Sequence, residues 1–176
     1  MYAKLSQLYV ETTRLCIRRV THADLPAFYQ MHSVDEVNVY LPYNTWHSQA
    51  DAEDWFAKIK QRRGKQEAEQ YVLERKHDKK IIGSCIVFNF NESEISLEIG
   101  YVLNREFWGH GYMYEAIKAL LLGLSMDIGI RYVKAVVNLE NASSLKLLSK
   151  FGFEMLSELI DDGGTRLAVF GCTLDK

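Results

Sequence analysis

Between residues 70 and 103 three apolar runs follow one another, QYVLERK (70–76), KIIGSCIVFNF (80–90) and EISLEIGYVL (94–103), with only HDK and NES between them. Each run is rich in β-branched and aromatic residues, and each break is polar and of hairpin length, so the segment predicts three antiparallel strands in a meander. Everything else in the chain has to pack around that sheet.

The flanks change period. RLCIRRV (14–20) alternates apolar and basic residues, as a half-buried strand does. Thr21 and Asp24 then have capping-box spacing, and Pro26 sits just inside the helix that LPAFYQMHSV forms. Ser48 and Asp51 repeat the spacing before AEDWFAKIKQRR, where Trp55, Phe56 and Ile59 make an apolar face. After the meander, Met113, Ala116, Ile117, Leu120, Leu121 and Leu124 trace one buried stripe of a helix over 112–126. RYVKAVVN (131–138) reads as a strand and NASSLKLLSKFG (141–152) as a helix stopped by glycine. FEMLSELI and TRLAVFGCTL read as a closing hairpin around residues 161–164. The order β-α-α-β-β-β-α-β-α-β-β, without repeat or linker, predicts one mixed α/β domain over residues 1–176, with helices on both faces of a central sheet.

Composition narrows the partners. With 48% hydrophobic and 12% aromatic residues the 176-residue chain can build a core. A balance of 21 basic against 23 acidic residues, with no long run of either sign, disfavours nucleic acid and anionic membrane. Cys16, Cys85 and Cys172 each fall in a strand-like segment without metal or redox spacing, which predicts buried thiols in a reducing compartment. His22, His32 and His77 are isolated, so no metal site is expected. The N-terminal stretch lacks a signal-peptide core and no window suits a membrane span, which predicts a cytoplasmic location.

The chemistry begins at WGHGYMYEA (108–116), where Gly109 and Gly111 precede the 112–126 helix. A loop entering a helix N-terminus points several free N–H groups one way, and glycine there removes Cβ atoms that would keep a phosphate from those amides. The same glycines serve equally well to make a tight turn. Two other phosphate motifs do not apply: a dinucleotide fingerprint needs glycine where Tyr114 stands, and a P-loop needs Gly-Lys-Ser/Thr.

Taken with NASSLKLLSKFGF (141–153), the segment EIGYVLNREFWGHGYMYEA (98–116) resembles the GNAT acetyltransferase superfamily, and within it the RimJ/RimL-like branch. The resemblance rests on Glu98 to Tyr101, on Trp108 to Tyr112, on Asn141 with Ser144 and on Lys150 with Gly152-Phe153. The opening ETTRLCIRRVTHADLPAFY extends it over roughly residues 11–174. It implies a mostly antiparallel, splayed sheet. It also implies that Gly109, His110, Gly111, Tyr112 and Met113, beside Trp108, bind the pyrophosphate of acetyl-CoA through backbone amides. Met113 departs from the glycine or alanine usual at its position.

By the same resemblance, the backbone of Tyr101, Val102 and Leu103 pairs with the pantetheine arm and polarises the thioester carbonyl. Glu98 is then the candidate general base, because an α-amine with pKa around 7.7 to 8.0 has to lose a proton before it attacks. Asn141 suits the N-cap of the last short helix, and the resemblance adds a contact to the pantetheine arm. Ser144 is the candidate donor to the departing thiolate, since the tyrosine that many family members carry seven residues after the asparagine is Leu148 here. The acceptor pocket is expected to come from the 39–48 segment, made aromatic by Tyr40, Tyr43 and Trp46 with His47, and from the terminal hairpin; core packing under a loop suits each of these rings equally well.

The implied reaction is transfer of acetyl from acetyl-CoA to a primary amine, with a protein or peptide N-terminus as acceptor. A small amine such as a polyamine, amino acid or antibiotic is the alternative. A non-catalytic acyl-CoA-binding module is an alternative of another class. Whether the chain acts as a homodimer stays open.

Overall fold

The computed structural model describes residues 1–174. The chain starts with a short helix, α1 (Tyr2–Leu5), and two strands, β1 (Val10–Glu11) and β2 (Leu15–Arg19). Three helices follow, α2 (Leu25–His32), α3 (Asp35–Asn38) and α4 (Gln49–Gly64). The meander is β3 (Ala68–Arg75), β4 (Ile81–Asn91) and β5 (Ser96–Leu103). After it come α5 (Tyr112–Gly123), β6 (Tyr132–Asn138), α6 (Ala142–Lys150), β7 (Glu154–Ile160) and β8 (Arg166–Thr173).

All the strands join one eight-stranded sheet in the order β1-β2-β3-β4-β5-β6-β8-β7. Every neighbouring pair is antiparallel except β5 with β6, which is parallel and has only three rungs: Ser96–Tyr132, Leu97–Val133 and Glu98–Lys134. Beyond Glu98, β5 continues along β4 to Leu103 while β6 continues along β8, so the sheet opens between them.

Alternation along the strands sorts the core onto two faces. Leu15, Ile17, Tyr71, Leu73, Cys85, Leu97, Ile99, Val133 and Phe170 pack with Leu5, Ala116, Ile117, Leu120 and Leu148, so α1, α5 and α6 cover one face. Val20, Val72, Ile86 and Val102 pack with Phe28, Val37, Phe56 and Ile59, so α2 to α4 cover the other, and only over β2 to β5. On that second face the last three strands are bare, with Val136, Leu156 and Leu159 exposed.

Both capping boxes form. Asp24 Oδ2 accepts from the Thr21 amide at 2.8 Å, and Asp51 Oδ2 accepts from the Ser48 amide at the same distance. The structure adds α1, β1 and α3 to the expected elements, each too short for a periodic pattern to be read. The N-terminal pair holds because Leu5 and Leu8 are buried and the Tyr71 hydroxyl donates to the Leu5 carbonyl at 2.7 Å. The helix expected over 112–126 is regular only to Gly123 and then widens into a π-helical turn, Leu124–Ile128, ended by Gly129 at φ +89°. Among the described residues no helix is long and apolar enough to cross a membrane.

Candidate active site

The opening between β5 and β6 organises the site. Direction alternates along a strand, so every second residue turns both its N–H and its C=O to the same neighbour. The Asn104 amide donates to Ile82 of β4, whereas the carbonyls of Ile95 and Leu103 accept from the Arg131 amide and the Trp108 indole, at 2.9 and 2.8 Å. Odd-numbered residues therefore face the slot. That places the main-chain groups of Ile99, Tyr101 and Leu103 in the opening, and turns those of Val102 to β4. Ile99 was not among the expected contacts, because the edge a residue presents depends on strand register rather than on motif letters.

Side chains alternate across the same strand. Glu98 is half-buried at the last rung before the opening, on the α2/α4 face, and its Oε2 accepts from Asn89 Nδ2 at 2.9 Å. Tyr101 points to the α5/α6 face, where its hydroxyl lies 2.7 Å from Ser144 Oγ on the first turn of α6. Burial pushes the Tyr101 phenol up to about 12, against the opposing pull of the Ser144 hydrogen bond. Ser144 is itself only 8% exposed. Its amide donates to Asn141 Oδ1 at 3.1 Å, so Asn141 caps α6 and sets the serine at the helix start. Leu148 is in the core and supplies no hydroxyl; the phenol beside Ser144 comes from β5 instead.

The turn into α5 is built on two left-handed residues. Gly109 and Gly111 both have φ +77°, a region that costs an L-residue about 1–2 kcal/mol. A Cβ on Gly109 would meet no protein atom within 4 Å, so conformation rather than crowding within the protein calls for glycine. Among the described residues, the amides of His110, Gly111, Tyr112 and Met113 donate to no protein group. Four unpaired donors at a helix start suit an anion. Met113 is half-buried and packs against the core, so its side chain belongs to the helix stripe. Trp108 is 40% exposed beside this turn, with the Arg105 guanidinium 4.8 Å over its ring.

The 39–48 segment divides in two. Tyr43 and Trp46 join His32 in an aromatic cluster, with ring centroids 5.3 and 4.6 Å from the imidazole, and Trp46 is buried. Tyr40 is exposed, and its hydroxyl donates to the Glu140 carbonyl at 3.1 Å, which ties the segment to the turn that precedes Asn141. An open cleft of about 320 Å³ lies along it, lined by Asp35, Asn38, Val39, Leu41, Pro42, Tyr43, Asn44 and Thr45.

Residues 14–154 match the family model described as an acetyltransferase (GNAT) domain. The chain belongs to the GNAT acetyltransferase family. Among curated GNAT relatives, an uncharacterized N-acetyltransferase of Bacillus subtilis, YoaA, is 31% identical over 150 residues, spanning 82% of each chain. Two solved structures show how widely the fold is used. One is an acetyl transferase of Salmonella typhimurium that modifies the N-terminal serine of ribosomal protein L7/L12. It superposes with a TM-score of 0.83 at 16% identity, over 96% of this chain and all of that one. The other, a spermidine N-acetyltransferase of Vibrio cholerae in complex with CoA and spermine, reaches 0.79 at 17% identity over 93% and 97%. This GNAT enzyme thus has the architecture of enzymes with both protein and small-amine acceptors.

Proposed function

We propose that the chain transfers acetyl from acetyl-CoA to the N-terminal amine of a protein or peptide by direct attack. One observation carries the reading: Glu98 and Ser144 belong to opposite faces of the sheet at the mouth of the same slot. The free amides of residues 110–113 lie on the Ser144 side of that strand, at the start of α5, and are suited to a pyrophosphate.

Each group then has a task. Glu98 takes a proton from the ammonium on the α2/α4 face, and the neutral amine attacks the thioester carbon. A slot-facing N–H of β5 stabilises the oxyanion. As the new C–N bond stands and the C–S bond breaks, Ser144 donates to the thiolate while Tyr101 holds the serine in place. As the C–S bond breaks, the attacking nitrogen gives up its remaining extra proton to solvent and the thiolate takes one up, so that the amide and the CoA thiol both leave neutral. The acceptor side favours a peptide: the cleft at 35–45 is open and the face of β6, β8 and β7 is bare, and neither is an enclosed pocket. Asp35 in that cleft favours the second reading, a small basic amine.

Continuous detection of free CoA thiol tests this, with acetyl-CoA offered against short peptides with free N-termini and against matched small amines. Release with peptides supports the reading. Release only with small amines replaces it, and no release with either leaves an acyl-CoA-binding module.

A further inference from the structure

Glu115 lies in the first turn of α5, where a carboxylate opposes any anion bound at the helix start. Here it is fully engaged. Oε1 accepts from Thr12 Oγ1 at 2.6 Å and from the Arg14 amide at 2.8 Å, and Oε2 accepts from Arg14 Nε at 2.6 Å. All three donors come from the segment just before β2, about a hundred residues away in sequence.

The same arginine reaches one residue further. Arg14 Nη1 donates to the His110 carbonyl at 2.9 Å, and the guanidinium stacks over the Tyr112 ring with its carbon 4.2 Å from the centroid. The chain has no cis peptide bond. In a trans peptide the C=O of one residue and the N–H of the next point opposite ways. Holding the His110 carbonyl toward Arg14 therefore aims the Gly111 amide away from it, to the side on which no protein acceptor stands.

We propose that Arg14 is a positioning residue for the pyrophosphate of acetyl-CoA: it orients the Gly109–Gly111 loop through the His110 carbonyl and neutralises Glu115, without touching the phosphates. The inference rests on reading this loop as the pyrophosphate site. It assigns work to a residue on the far side of the loop from the ligand, where a glycine pattern gives no hint of it.

The test compares binding of CoA with binding of pantetheine, which has the thiol arm but neither pyrophosphate nor nucleotide, by calorimetry on the full chain. Arg14→Met keeps the stem and loses every polar contact of the head. It is expected to weaken CoA at least ten-fold while leaving pantetheine unchanged, and to raise KM for acetyl-CoA with kcat at saturation retained. Arg14→Lys, which keeps the charge but lacks the planar fork, is expected to fall between the two. Equal loss of both ligands, or wild-type CoA affinity in Arg14→Met, overturns the inference while leaving the enzyme reading intact. Should Arg14→Met fail to fold, Arg14→Lys decides by the same comparison. A wild type that binds no CoA overturns the reading beneath it, and this inference with it.

Discussion

The hydroxyls of Tyr101 and Ser144 stand 2.7 Å apart and join the middle of β5 to the first turn of α6. A serine hydroxyl rotates freely, and one proton can satisfy one acceptor at a time. Either hydroxyl can donate to the other, and in the arrangement where the phenol donates, Ser144 keeps its own proton for a group in the slot. Tyr101→Phe and Ser144→Ala are each expected to lower kcat about ten-fold, about 1.4 kcal/mol in the barrier, with KM for acetyl-CoA little changed. The double variant is expected to lose no more than Ser144→Ala, as residues acting as a unit do. Additive losses in a steady-state double-mutant cycle would separate the two roles.

Glu98→Gln is expected to retain acetyl-CoA binding and to lower turnover at neutral pH ten-fold or more, about 1.4 kcal/mol. The deficit is expected to shrink as pH rises past the α-amine pKa of about 8, where the acceptor arrives already neutral. A pH–rate profile from 6 to 9 with a peptide acceptor checks this. A profile identical to that of wild type would remove Glu98 from the mechanism.

His32 is 1% exposed, with Nδ1 3.0 Å from Asn38 Oδ1, and the Asn38 amide donates back to the His32 carbonyl at 2.6 Å. Burial lowers its pKa, and the Asn38 bond only partly opposes this. Below about pH 6.5 the unfolded chain takes up a proton that the folded chain resists, so the stabilisation is whole above that pH and is lost as pH falls through the folded value. The melting temperature is expected to decline from pH 7 to pH 5, and less steeply in His32→Gln. Parallel declines in the two proteins would place the titration elsewhere.

Asp24 is 5% exposed, caps the turn before α2 and pairs with Arg18 at 2.8 Å. Burial raises its pKa, but the Arg18 hydrogen bond and the Thr21 amide outweigh burial and hold the carboxyl below its ordinary range. This contribution is present above about pH 3.9 and is lost as pH falls further, through the folded value. Asp24→Asn is expected to cost roughly 2 kcal/mol at pH 7, below the buried-pair range because Arg18 is partly in water, and to lower Tm by about 4–8 °C. Thermal melts at pH 7 check both numbers.

How much of this was legible depended on whether the signal was local. The meander, the two capping boxes and the stripe on α5 were, because hydrophobic period and three-residue spacings are properties of neighbours in sequence. The four-residue α1 and two-residue β1 were not; contacts such as Tyr71 to the Leu5 carbonyl, 66 residues apart, hold that end of the chain. At the site, the residue types at Glu98, Asn141 and Ser144 carried the resemblance. That Ile99 faces the slot and Val102 does not follows from register with β4, and that Tyr101 reaches Ser144 follows from packing across 43 residues. For the glycines, ligand clearance and a tight turn were equally legible in the sequence, and the structure gives both a left-handed backbone.

Among the described residues, the three-rung seam between β5 and β6 leaves main-chain edges that no neighbouring strand completes. A ligand gripped along such an edge is recognised by peptide groups, which every residue except proline carries alike. Side chains along the slot are then free to drift under selection for packing alone, while the grip persists. An enzyme built this way can change its acceptor by altering the loop and hairpin around the seam without redesigning its hold on the donor. Divergence in sequence and constancy of architecture are, for such a site, two aspects of one economy of construction.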